Sequence, residues 1–126
     1  MKLKFSTNWI KSKQPRKQRK YRYNAPLHIK SKFTSSHLSK ELMKKYNKRS
    51  ATIRKGDKIK VLRGQFKGKT GKVDKVDLKK TEVYIAGIEA IKKDGTKVPH
   101  PINPSNLLIT ELNLDDKKRN KALERK

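Results

Sequence analysis

The stretch from Arg54 to Val73 concentrates the residues of this chain that could do chemistry. Gly64 and Gly68 bracket Gln65, Phe66 and Lys67, with Lys55 and Arg63 before them and Lys69 and Lys72 after. Glycine permits backbone angles that other residues resist, and it lets a ligand approach the main chain closely. The cations can hold phosphate, and Phe66 offers a flat face. Such a loop suits a sugar-phosphate backbone with a splayed base. Phe66 has two readings: a ring tucked into the core, or a ring that stacks on a base. Gly56 and Gly71 read more simply as turn residues. Lys58, Lys60, Lys72 and Lys75 form a solvated strand face, and the total charge turns about half of them toward phosphate.

That charge bounds the partner. The chain has 126 residues, 36 Lys plus Arg and 11 Asp plus Glu, a formal net charge of +25. So large an excess repels itself unless a polyanion neutralises it. Nucleic acid fits best, because each neutralised phosphate releases condensed counterions. No apolar run is long enough to span a bilayer. Lys2 and Lys4 precede no apolar stretch, so a secretory signal is not expected. Cysteine is absent, which excludes disulfides and thiolate metal sites. With 32% hydrophobic residues the chain can bury one small core.

The elements that must position the loop follow from composition shifts. Met1 to Phe33 holds eleven basic residues and no acidic one. Single-sign blocks are usually disordered arms, often arms that bind nucleic acid, and Pro15 and Pro26 argue against one continuous helix. Lys11, Lys13, Arg16, Lys17, Arg19, Lys20 and Arg22 are its candidate phosphate contacts. Phe5, Trp9, Tyr21, Tyr23 and Phe33 are interleaved with them, which suggests packing or stacking in the bound state. Ser36 to Tyr46 reads as a short helix, with Leu38, Leu42, Met43 and Tyr46 on one face, Ser35 or Ser36 as its cap and Asn47 as its stop. Thr52 to Thr110 reads as short strands: Lys58 to Leu62, Thr70 to Val76, Glu82 to Ala86, Glu89 to Ile91, Thr96 to Val98 after an Asp94-Gly95 hairpin signal, and Leu107 to Thr110. Short, closely spaced strands with glycine turns predict a small barrel. Asp115 to Lys126 reads as a charged tail, helical at most on a partner surface, with Asp115 and Asp116 at the start of any such helix.

The run Gly56-Asp57-Lys58-Ile59-Lys60-Val61-Leu62-Arg63-Gly64-Gln65-Phe66-Lys67-Gly68-Lys69-Thr70-Gly71-Lys72-Val73 resembles a KOW motif. Its flanks widen the resemblance. Leu38-Ser39-Lys40-Glu41-Leu42, Lys45-Tyr46, Arg49-Ser50 and Ile53-Arg54-Lys55 lead into it, and His100-Pro101-Ile102, Pro104-Ser105-Asn106-Leu107 and Ile109-Thr110 follow. Together they resemble the archaeal and eukaryotic large-subunit ribosomal proteins called L-twenty-four and L-twenty-six, over most of residues 36–114. The resemblance implies a mainly β chain built on a small SH3-like barrel, the KOW domain, with a short preceding helix and basic N- and C-terminal extensions. Composition and resemblance together divide the chain into a basic RNA-binding arm (1–34), a short helix and linker (35–51), the barrel (52–114) and a charged C-terminal tail (115–126). The resemblance further implies binding to large-subunit ribosomal RNA beside neighbouring ribosomal proteins, a cytoplasmic ribosomal setting near the nascent-peptide tunnel exit, and a role early in subunit assembly.

Other functions fit less well. His28, His37 and His100 are scattered, so no metal site is expected. Asp57, Asp74 and Asp77 pair with no visible nucleophile or base, so no catalytic residue is assigned and no enzyme, cofactor or small-molecule substrate is expected. No membrane partner and no homo-oligomer are expected either. A KOW-containing transcription elongation factor is the alternative. Such a protein usually carries a separate α/β domain, and the segment before Thr52 is too basic and too poor in apolar residues to form one. A general nucleic-acid compactor would explain the charge but not the flanking residues.

Overall fold

The computed structural model describes residues 5–125, so Lys2 and Lys4 lie outside it. Strand alternation builds the centre. In β3 (Lys58–Val61) Ile59 and Val61 are buried while Lys58 and Lys60 face solvent, the period-two pattern of a half-buried strand. β5 (Glu82–Ile85) and β8 (Leu107–Glu111) repeat it with Val83, Ile85, Leu107 and Ile109 inward. These side chains, with Leu38, Ile53, Val73, Ile88 and Ile102, form one continuous apolar core.

Six strands pair in the order β2-β1-β8-β3-β4-β5, where β1 is Ser35–Leu38, β2 Ser50–Thr52 and β4 Thr70–Asp77. β1 runs parallel to β8 and the other pairs are antiparallel. β4 is the bent member. Its first part pairs with β3 (Lys58 opposite Lys72), its second with β5, and the register shifts between Val73 and Lys75. An irregularity of this kind bends a strand and raises its twist. Among the described residues no ladder joins β5 to β2, so the pairing defines a curled six-stranded sheet rather than a closed barrel. β6 (Glu89–Ile91) and β7 (Lys97–Pro99) form a separate hairpin at the expected Asp94-Gly95 turn. Between β7 and β8 the chain makes a 3-10 turn at Pro104–Asn106, with Pro104 buried.

Other expectations change as well. The helix expected from Ser36 begins later, as α3 (Lys40–Tyr46), with Ser39 capping Leu42 N–H and Asn47 closing it in the left-handed conformation. Leu38 is therefore a fully buried strand residue, not part of the helical face. The pairing with β8 and β2 decides this, and the buried Ser36 hydroxyl supports it, donating to the Pro104 carbonyl at 2.9 Å and facing that of Leu107. The basic N-terminal block is ordered as α1 (Pro15–Asn24) and α2 (Leu27–Phe33). Pro15 is tolerated because it lies in the first helical turn, and Pro26 separates the two helices. Four of the five aromatic residues pack on one another, Tyr23 excepted: Tyr21 stacks on Trp9 at 4.2 Å between ring centres, meets Phe5 at 4.8 Å and lies edge-on to Phe33 at 6.2 Å. The charged tail, finally, forms α4 (Lys117–Glu124) against the protein's own sheet, burying Leu123 and Arg119.

Gly71 is a packing residue inside β4 and not a turn. A Cβ there would meet Ile85 Cγ2 at 2.6 Å and the Ala86 carbonyl oxygen at 2.8 Å. The carbonyl is backbone and cannot swing away. Gly71→Ala is expected to destabilise the fold by about 1–3 kcal/mol, read from urea unfolding followed by circular dichroism. An unchanged midpoint would show that β5 lies farther from β4 than described.

Candidate nucleic-acid interface

The loop joining β3 to β4 is held by its own backbone. Gly68 N–H donates to the Val61 carbonyl at 2.8 Å, Lys67 N–H to Gly64 at 3.1 Å and Lys69 N–H to Phe66 at 3.1 Å. Gly64 and Gly68 have φ of +94° and +87°, where a side chain is strained. A Cβ at either would meet nothing within 4 Å. The glycines thus serve the turn, and the space before them is open.

Charge surrounds that space. Arg63, Lys67, Lys69 and Lys72 are exposed, and among the described residues no carboxylate pairs with any of them. Lys72 stands opposite Lys58, but Lys58 is held by Glu111 at 2.8 Å. Lys55 is partly engaged, 3.9 Å from Asp74. Phe66 is half-buried against the core, 5.1 Å from the His100 ring, with Lys69 Nζ 5.2 Å from its own centre. One side of the ring is therefore already in use within the protein.

The second group of expected contacts stands on the N-terminal segment. Lys11 and Lys13 precede α1, and Arg16, Lys17, Arg19, Lys20 and Arg22 lie on it, all exposed. Arg22 is set apart, with its guanidinium 5.7 Å from the centre of the Phe33 ring. Among the described residues no hydrogen bond or ring contact links this group to the loop, so the structure presents two cationic surfaces on separate elements.

One residue pair behind the surface escaped the sequence reading. Asp57 is wholly buried and meets Arg119 in a two-pronged ion pair, Oδ1 to Nη1 at 2.6 Å and Oδ2 to Nη2 at 2.7 Å. Asp57 also accepts from the backbone N–H groups of Arg54 and Asn113, both at 2.9 Å. Arg119 donates in addition to the carbonyls of Asn113 and Thr52, at 2.8 and 3.1 Å. The cluster fixes α4 beside the turn that starts β3. The one hint in the sequence was Leu123, an apolar residue four positions after Arg119 in a charged tail.

Asp116 caps α4, accepting from Lys118 N–H at 2.8 Å, and it pairs with Arg54. The Arg54 side chain, and then the Lys118 N–H, hold its carboxyl below the ordinary value of 3.8. A depressed folded pKa contributes stability above the unfolded value that is lost as pH falls through the folded one. The start of α4 should therefore hold at pH 5 and loosen only below pH 3.8. Amide exchange of residues 117–120 against pH checks this. Asp116→Asn, which keeps a capping oxygen, should abolish that acid dependence.

Fold and surface together define a small, strongly basic protein built on a six-stranded sheet. Among the described residues no group of three or more His, Asp or Glu is placed to hold a metal, and no helix is long and apolar enough to cross a membrane. Residues 12–126 match the family of ribosomal proteins that comprises eukaryotic L26 and its archaeal L24 counterpart, and the chain belongs to that family. It is 54% identical over 114 residues to the large ribosomal subunit protein uL24 of Methanothrix thermoacetophila, covering 90% of this chain and 98% of the relative. The protein of the same name from Methanosphaera stadtmanae is 52% identical over 115 residues, covering 91% and 98%. That of Methanoculleus marisnigri is 54% identical over 114 residues, covering 90% and 94%. Membership agrees with the reading of a ribosomal protein of archaeal type that is not an enzyme, and it disfavours the elongation factor.

Proposed function

We propose that this protein is a structural constituent of the large ribosomal subunit that binds large-subunit ribosomal RNA. The observation that carries the reading is the open glycine loop, ringed by Arg63, Lys67, Lys69 and Lys72 with no carboxylate to neutralise them among the described residues. The loop lies against the sugar-phosphate backbone, and the cations of α1 reach a second stretch of it. Lys55 and Phe66 steady the loop's surroundings and touch RNA at its edge. The curled sheet acts as the SH3-like scaffold of a KOW domain. The protein works as a single copy among neighbouring ribosomal proteins, joins the subunit early, and lies near the exit of the nascent-peptide tunnel. The relatives' names, which place them in the large subunit, support this setting. Shape and unpaired features of the RNA supply specificity, since side chains cannot read the deep groove of an A-form duplex.

Binding of the whole chain to a large-subunit ribosomal RNA fragment tests the reading. Tight binding at low salt that the fragment's plain duplex cannot match is expected. Equal affinity for duplex DNA at matched salt would replace it with a general nucleic-acid compactor. Absence from salt-washed ribosomes together with co-purification with RNA polymerase would revive the elongation factor.

A further inference from the structure

Tyr21 and Tyr23 lie two residues apart on α1, so at about 3.6 residues per turn they project to nearly opposite sides. Tyr21 turns inward, stacked on Trp9 at 4.2 Å and edge-on to Phe33 at 6.2 Å. Tyr23 is 82% exposed, and among the described residues no ring lies against it. Arg16, Arg19 and Lys20 precede it by seven, four and three residues and share its side of the helix. All three are exposed, α1 contains no acidic residue, and among the described residues no carboxylate reaches them.

We infer that this outer face of α1 is a nucleotide site, in which an unpaired RNA base stacks on Tyr23 while Arg16, Arg19 and Lys20 hold the flanking phosphates. The inference rests on the RNA-binding reading and adds a stacked base to the phosphate contacts proposed for α1. An aromatic ring standing in water among cations has no use inside the fold, whereas every base has a face that such a ring can cover. Bases within a duplex already cover one another, so the ligand is single-stranded. A membrane surface fits poorly, because it needs an apolar stripe, and the neighbours of Tyr23 on its side are cations.

The test uses the full chain, a single-stranded oligoribonucleotide carrying one fluorescent purine analogue, and the matching duplex. Stacking on Tyr23 should quench the analogue. Tyr23→Ala should weaken single-strand binding roughly 5- to 150-fold, remove the quenching, and leave the salt dependence and the duplex affinity unchanged. Tyr23→Phe should behave as the native chain. Arg16→Ala with Arg19→Ala should instead flatten the log–log salt slope by about 0.7 for each phosphate no longer held. Tyr23 is exposed, so the circular dichroism of every variant should match the native chain. Full binding by Tyr23→Leu, or quenching that survives Tyr23→Ala, would overturn the stacking site. If the native chain binds with a steep salt slope and Tyr23→Ala binds equally well, this site alone falls. If the native chain binds neither probe, the RNA reading falls and takes the site with it.

Discussion

Arg119→Ala is expected to lower the free energy of unfolding by about 3–5 kcal/mol. The substitution leaves the Asp57 carboxylate at 0% exposure with its two shortest hydrogen bonds gone. A buried charge stripped of its partner is among the costliest defects a core can carry. Small domains are stable by only about 5–15 kcal/mol, so the loss consumes a large share. Asp57→Ala should cost as much, since it strands the guanidinium, while the double variant should cost less than the sum. Arg119→Lys should not rescue, because one ammonium cannot bridge both carboxylate oxygens and also reach the Asn113 and Thr52 carbonyls. Urea unfolding of the four variants measures this. A cost below about 1 kcal/mol for either single change, the range of an exposed pair, would show that α4 does not seal over Asp57.

The second large effect concerns salt. If the loop and α1 together neutralise about six phosphates, the affinity for a ribosomal RNA fragment should fall by about three orders of magnitude between 50 and 200 mM salt. The log–log slope should then lie near −5. Replacing Arg63, Lys67, Lys69 and Lys72 together with alanine should remove about 0.9 of slope for each phosphate no longer neutralised. The fold should be unaffected, since none of the four carries an ion pair within the described chain. Changing Lys58 to alanine should matter less for RNA, because Glu111 already neutralises it. Filter binding across a salt series gives the slopes, and a flat titration would count against phosphate contact.

Much of this architecture was legible in the chain alone, because it is local. The alternation of Lys58-Ile59-Lys60-Val61 is written in four consecutive residues, and the β6–β7 turn in two. Asn47 tolerates the left-handed angle that ends α3, and that is a property of one side chain. The cationic loop was likewise visible, since its glycines and lysines are neighbours in the chain. Other features depend on residues that meet only after folding. Leu38 has helical spacing to Leu42, yet pairing with β8 places it in a strand. The N-terminal block has the composition of a disordered arm, yet it carries two helices, with Phe5 and Trp9 packed on Tyr21.

By itself, then, the sequence determined the sign and excess of charge, the periodicity of the strands, the glycine loop and the family. The tertiary structure alone decided which charges stay free for a partner and which are spent inside. Lys58 and Lys72 are alike in sequence, and Glu111 separates them. Asp57 and Arg119 lie 62 residues apart, so no periodicity links them. Periodicity depends on neighbours along the chain. Burial and ion pairing depend on where distant segments come to rest, and only the packed sheet fixes that.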